Sequence, residues 1–322
     1  MFCDYYKAID FLRRRNEGDP ELRKWNGDDR EAELFRRILA GMPIGGDPRN
    51  SRLAGHFGVP EGESGFDLPP AAAPESRPDD FDALCGKLQC SVGISTNHTT
   101  LDYELILNRG LLALAGETPN PAQRTALRAV ADFAERYAAL GFELCRRVPA
   151  HPATTFAEAL QSILLVQAMT GISERSFASI SLGRFDQYCH PYFEQDRKRG
   201  VKESELAAVL REFLQMLNLH GDFAKALNIG GGDRDGNDQF NDLSRMILRL
   251  AAELRLPAPL LAVRCHKNTR DEDLALATRP ELFTIGQPTF YGEENCRETL
   301  RKRGALPDDL DRWCVNSCMG LM

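Results

Sequence analysis

Two thiols four positions apart, Cys314 and Cys318, stand in the closing stretch RWCVNSCMGLM. A cysteine can act as nucleophile, metal ligand, redox partner or radical carrier. The spacing narrows that choice. It fits the first two ligands of a Cys-x3-Cys-x2-Cys cluster pattern, but Leu321 occupies the third position. It is not the Cys-x2-Cys of a thioredoxin-type pair. Two readings stay open: one reactive thiol at a loop tip, or two buried packing residues.

Two further stretches could do chemistry. GGGDRDGND, residues 230–238, lies between a strand-like and a helix-like run, where phosphate loops also lie. Gly231 and Gly236 have Walker spacing, yet Asn237 and Asp238 replace the phosphate-binding Lys and Ser/Thr. Asp233, Asp235 and Asn237 match the first three ligands of a calcium loop, but Asp238 replaces its glycine and Ser244 its bidentate glutamate. A tight strand-to-helix turn with Asp or Asn capping explains the stretch as well. In STNHTTLDYE, His98 sits beside small hydroxyl residues, and a lone histidine is more often structural than catalytic. Neither HExxH nor a Cys-His ligand set is present, so no metal is expected.

These residues need elements to position them. Asn120 followed by Pro121 predicts a helix start, and residues 122–147 then read as one long helix. TFAEALQSILLVQA opens with a capping-box pair, Thr155 and Glu158, and sets Phe156, Leu160, Ile163 and Leu164 on one face. Ser204 is read as the cap of a helix with Leu206, Val209, Leu210, Phe213, Leu214 and Leu217 as its stripe. Another helix is read after Asn237, with Phe240, Leu243, Ile247, Leu250, Ala251 and Leu254. Between the helices, ASISLGRF, ALNIGG, LLAVRCH and FTIGQPTF have strand length, with RWCVNSC as a last candidate. The alternation predicts a helix-rich α/β fold, whose sites usually sit at strand ends. Residues 42–80 are too rich in Gly and Pro for helices or central strands and read as a long loop.

Composition bounds the rest. A chain of 322 residues, 43% hydrophobic and 27% charged, can bury a sizeable core. With 40 basic and 47 acidic residues the net charge is -7, and no basic run is interleaved with aromatics, so nucleic acid is not an expected partner. No signal-peptide core or membrane-length apolar run occurs, which predicts a cytoplasmic protein with no membrane association. Nine cysteines, an odd number, suit reduced thiols.

Four blocks resemble those of the glycyl radical enzymes, the pyruvate formate-lyase and glycerol dehydratase-like superfamily, and they occur in that family's order: NHTTLDYELILNRGL (97–111), TFAEALQSILLVQ (155–167), SISLGRFDQYCHPYFEQD (179–196) and LNIGGGDRDGNDQFNDLSRMIL (227–248). The resemblance implies a ten-stranded α/β barrel of two five-stranded halves. A finger loop inside the barrel carries a cysteine, and a nearby glycine stores a radical installed by a radical S-adenosylmethionine activase. Residues 1–95 read from the sequence itself as an irregular helical and loop region; over 96–322 the resemblance implies the first half-barrel ending at the cysteine loop, with the C-terminal half absent.

On that resemblance Cys318 takes the thiyl position, with Cys314 in the alternative register. A thiyl there would abstract hydrogen from a small organic substrate to start C–C or C–O cleavage. His98 and Ser179 lie in blocks that contact substrate hydroxyls in diol-dehydrating relatives. Gly320 stands where dehydratases carry a glutamate, and Ser317 where pyruvate formate-lyase carries a second cysteine, so neither chemistry is specified. No Arg-Val-x-Gly-Tyr-type motif occurs. The resemblance therefore implies a truncated chain, inactive alone, homodimeric when complete. The alternative is a non-catalytic half-barrel that binds a small molecule or a partner chain.

Overall fold

The computed structural model describes residues 2–60, 99–173, 180–220, 225–316 and 320–321. Five short parallel strands run in chain order: β5 (Thr99–Thr100), β6 (Ile180–Ser181), β7 (Ala226–Gly230), β8 (Leu260–Cys265) and β9 (Thr289–Gly292). β5 pairs with β6, and β7, β8 and β9 form one ladder. A parallel bridge between Gly183 and Leu227 joins the two groups. Leu182 N–H donates to Ala226 O at 2.7 Å and Asn228 N–H to Gly183 O at 3.0 Å. The N-terminal region adds β1 (Phe2–Asp4), β2 (Ile44–Gly45), β3 (His56–Phe57) and β4 (Val59–Pro60), in the antiparallel pairs β1–β4 and β2–β3. The part of 42–80 that is described, up to residue 60, thus holds two-residue ladders within the loop.

Helices cover one face of the parallel strands. Leu227, Ile229, Leu261 and Val263 join Leu160, Ile163, Leu164, Phe213 and Ile247 in one core. The stripe Leu206, Val209, Leu210, Phe213, Leu214 and Leu217 is buried throughout. Each such side chain contributes roughly 1.5–3 kcal/mol of apolar burial. A second core joins the helices Tyr5–Glu17, Gly27–Gly41 and Pro121–Ala139.

The helix Phe156–Ser173 spans both cores. Its first half packs Phe156, Leu160 and Ile163 on the strand side, and its second half packs Leu165, Met169 and Ile172 against the N-terminal helices. It is therefore buried all round, with Gln161, Ser162 and Gln167 inside, rather than amphipathic as its sequence suggested. Gln161 answers its burial by pairing its amide with both backbone groups of Ala54, at 2.7 and 3.0 Å.

Helix ends differ from their sequence-based positions for local reasons. Asn120 caps as expected, accepting from Ala122 and Gln123 N–H, but the helix stops at Ala139. Gly141, at φ +102°, turns the chain, and a separate 3-10 turn Glu143–Arg146 follows. Thr155 Oγ1 accepts from Glu158 N–H, while the Glu158 carboxylate reaches Thr154 instead of Thr155. Lys202, with no side-chain cap bond, precedes Glu203–Leu219, so Ser204 lies inside that helix. Asn241, not Asn237, caps Asp242–Leu254 in a reciprocal box with Ser244. Of FTIGQPTF only Thr289 and Phe290 enter a strand, since Pro280–Phe283 is helical.

Candidate functional site

The face of the parallel strands away from the helices is polar and yet buried. It presents Ser181 from β6, Asn228 from β7 and Arg264 from β8, all fully buried. Ala226 and Ala262 leave room between them for Trp313 and Val315. The segment occupying that room ends in β10 (Val315–Asn316), which turns back to pair with β11 (Gly320–Leu321). Every backbone polar group of Val315 is answered by a strand side chain: its N–H donates to Asn228 Oδ1 at 2.6 Å, and its carbonyl accepts from Asn228 Nδ2 at 3.1 Å and Ser181 Oγ at 2.8 Å. These contacts satisfy groups that would otherwise be buried without partners.

Arg264 holds the preceding residues. Its Nε and Nη2 donate to Glu293 at 3.0 and 2.7 Å, its Nη1 donates to Trp313 O at 2.9 Å, and its guanidinium lies 4.0 Å from the centroid of the Trp313 ring. The ring nitrogen donates to Glu293 at 3.1 Å. Asp311 is gripped by Arg297 at 2.8 Å and Arg234 at 3.1 Å, and Arg184 donates to its carbonyl. Burial and the nearby charge of Arg264 push Arg184 down to about 10.

The glycine loop 230–238 now has a physical account. Gly231 has φ +96°, and a Cβ there would lie 2.8 Å from Arg264 Cζ, so the glycine admits the guanidinium. Asp186, fully buried, accepts from Gly230 N–H at 2.7 Å and Ser244 Oγ at 2.5 Å, fixing the strand-to-helix turn; its burial raises the carboxyl above its usual range. Asp233 accepts from Asp235 and Asn237 N–H, so these residues serve an internal turn. Among the described residues no group of three His, Cys, Asp or Glu side chains could hold a metal ion, and no helix is long and apolar enough to cross a membrane.

A cleft of about 430 Å³ opens at the carboxyl ends of β5 and β6, lined by Thr100, Tyr103, Gly183, Arg184, Tyr188 and Cys314 among others. Cys314, 6% exposed, puts Sγ 3.4 Å from Thr100 Oγ1. Burial raises its thiol pKa against the opposing effect of the Thr100 hydroxyl. Tyr103 has a buried hydroxyl with no hydrogen-bond partner among the described residues.

His98, Ser179 and Cys318 lie outside the described residues. Their neighbours in sequence do converge. Thr99 pairs with Ile180, Thr100 with Ser181, and Ser181 in turn holds Val315. Sequence reasoning missed Asn228, Arg264, Glu293 and Trp313. The available signal was a polar residue inside each of two apolar strand runs, Asn228 in ALNIG and Arg264 in LLAVRC.

Residues 91–322 match the pyruvate formate lyase-like family. Over 193 residues the chain is 28% identical to the isethionate sulfite-lyase of Bilophila wadsworthia, covering 55% of this chain and 23% of that protein. A glycyl radical enzyme from Archaeoglobus fulgidus has a similar structure, with a TM-score of 0.77 at 18% identity over 100% of this chain and 53% of that one. A Roseburia inulinivorans structure described for 1,2-propanediol dehydration gives 0.76 at 20% identity, over 100% and 52%. The chain spans about half the length of these structures, and its aligned part about a quarter of the curated relative. With well over half of its residues matched and a helix-rich α/β fold shared with those structures, the chain belongs to the pyruvate formate lyase-like family of glycyl radical enzymes.

Proposed function

We propose that this chain carries the thiol side of a glycyl radical lyase or dehydratase, with Cys318 as the sulfur that takes a hydrogen atom from a small organic substrate to start C–C or C–O cleavage. The observation that carries the reading is the convergence at β5, β6 and β10. The neighbours of His98 and Ser179 pair with each other, and the strand two residues before Cys318 is bonded to Ser181 beside them. His98 and Ser179 are the proposed contacts to substrate hydroxyls. The five parallel strands are, on this reading, the first half of a ten-stranded barrel over 96–322.

The chemistry of the residues present fits a radical partner. Burial favours the protonated form of the neighbouring Cys314 thiol, and a protonated thiol is the form that can surrender a hydrogen atom rather than an electron pair. A glycyl radical, installed by a radical S-adenosylmethionine activase, would supply the initial vacancy. The Cys318 sulfur, having given its S–H hydrogen to that radical, would then take H from substrate carbon, re-forming S–H and leaving a carbon radical. The dry seat under Val315 and Asn316 excludes water from this stretch. Cys314 packs the finger strand in this arrangement, and the working assembly is a homodimer.

The test uses the gene's complete coding sequence, activated anaerobically and transferred into D2O. A thiol exchanges its proton with solvent, so reversible hydrogen transfer through Cys318 would deuterate the radical carbon and collapse the electron paramagnetic resonance doublet. The collapse is expected in wild type and Cys314→Ala, and its absence in Cys318→Ala. Collapse that survives Cys318→Ala but not Cys314→Ala would move the radical site to Cys314. Collapse indifferent to both would end the proposal.

A further inference from the structure

A buried ion pair is a poor stabiliser, since desolvating both charges offsets most of their attraction, and replacement by apolar side chains of similar volume is often neutral. Arg264 and Glu293 are 0% and 1% exposed, so this pair calls for another explanation. Its donors are divided: two N–H groups fix Glu293, and a third goes to the Trp313 carbonyl while the guanidinium plane covers the Trp313 ring. The carboxylate returns to the same residue by accepting the indole N–H. Trp313 is thus held at its backbone, its ring face and its ring nitrogen by two side chains that also hold each other. Glu293 opens the helix Glu293–Lys302 directly after β9, so the grip joins β8 and β9 to the finger strand. Gly231 keeps the guanidinium's space open.

We propose that Arg264 is a positioning residue for the finger loop: braced by Glu293, it locks Trp313 and so sets the height and register of the strand that leads to Cys318. The geometry supports this through a planar fork that Lys cannot reproduce. Apolar packing of Trp313 alone would leave the strand free to slide. The functional consequence rests on the reading of Cys318 given above, whereas the lock itself is a property of the fold.

The experiment measures alkylation by iodoacetamide under reducing conditions, cysteine by cysteine, with peptide mass spectrometry on the full-length gene product. Cys145 and Cys189, 2% and 0% exposed in the two main cores, report global opening, while Cys314 and Cys318 report the finger. Arg264→Lys is expected to raise the Cys314 and Cys318 rates by about tenfold or more while Cys145 and Cys189 stay within about twofold, as local opening requires. Trp313→Leu leaves the Arg264–Glu293 pair intact, strands no charge, and is expected to do the same; it decides the matter if Arg264→Lys loosens every cysteine. Unchanged finger rates, or equal acceleration of all four thiols in Trp313→Leu, would overturn the proposal. Because no radical or substrate is involved, this outcome is independent of the deuterium test of Cys318.

Discussion

Replacing Asn228 by Ala removes both bonds that its amide makes to Val315, at 2.6 and 3.1 Å, from a position with no solvent exposure. The two backbone groups suffer differently. Val315 N–H loses a buried acceptor at 2.6 Å, at a cost of roughly 1–3 kcal/mol. The carbonyl keeps Ser181 Oγ at 2.8 Å. With about 1 kcal/mol for the space vacated, the expected loss is about 2–4 kcal/mol. Ser181→Ala alone should cost about 1–2 kcal/mol, since Val315 O keeps Asn228 while Gly183 N–H loses its acceptor at 3.0 Å. The double variant strands the carbonyl as well, so its cost should exceed the sum by about 1 kcal/mol. The chain has two tryptophans, and in a Trp25→Phe background Trp313 becomes the sole indole reporter of the segment that leads into β10. Urea titrations would follow Trp313 emission against far-ultraviolet circular dichroism, with the Trp313 transition shifting first in Asn228→Ala. Coincident transitions at the wild-type midpoint, or simple additivity in the double variant, would refute the argument that these side chains hold the strand.

Two further outcomes follow from the same geometry. His220, 2% exposed, bonds Gly55 O through Nε2 at 2.7 Å, and burial lowers its pKa from 6.5 to about 3. The unfolded chain takes up a proton below pH 6.5 that the folded chain refuses until about pH 3, so stability falls with pH across that window, by about 2 kcal/mol at pH 5; His220→Gln should remove that slope, and equal slopes in the two proteins between pH 6.5 and 5 would rule it out. Gly231→Ala must clash with Arg264 and adopt φ +96°, whereas Gly236→Ala, at φ +80° with open space around it, meets strain alone. The first should therefore lose more stability, by roughly 1–3 kcal/mol over the second, in thermal melts; equal losses would mean that Arg264 does not need the glycine.

What the sequence made legible was periodic. The alternation of helix and strand, the stripe from Leu206 to Leu217 and the strand runs ALNIGG and LLAVRCH are local signals, and each was found in place. Helix ends were less legible because competing caps lie within a few residues, as with Asn237 and Asn241, and tertiary packing decides between them. The all-round burial of Phe156–Ser173 depends on two cores meeting on one helix, and the hydrophobic count of that helix alone does not show it. The role of Arg264 was hidden for the same reason. Its partners Glu293 and Trp313 stand 29 and 49 residues downstream, and an arginine in a strand run reads as an edge until the chain folds back over it. The resemblance pointed to Cys318 through a motif, and the geometry bears on the stretch that precedes it.

The wiring of β10 also explains why that inner face is polar. Parallel strands buried on both faces usually read as continuous apolar runs, and such a face would pack Trp313 and Val315 at no lower stability. Apolar contact, however, is non-directional. A strand lying on leucines can slip by one residue and lose little, while every side chain beyond it changes sides. Asn228 opposes that slip, because its amide satisfies the N–H and the carbonyl of one residue together, at 2.6 and 3.1 Å on Val315, and a shift of one residue breaks both. Arg264 and Glu293 impose the same condition two residues earlier, at Trp313. Two such locks define a single register, and from Val315 the chain has three residues to reach Cys318. On the proposed chemistry, hydrogen transfer requires the sulfur within near-contact distance of two different carbon atoms, a tolerance of well under one strand residue, about 3.3 Å. Polar residues on this face supply the directional constraint that such a tolerance demands.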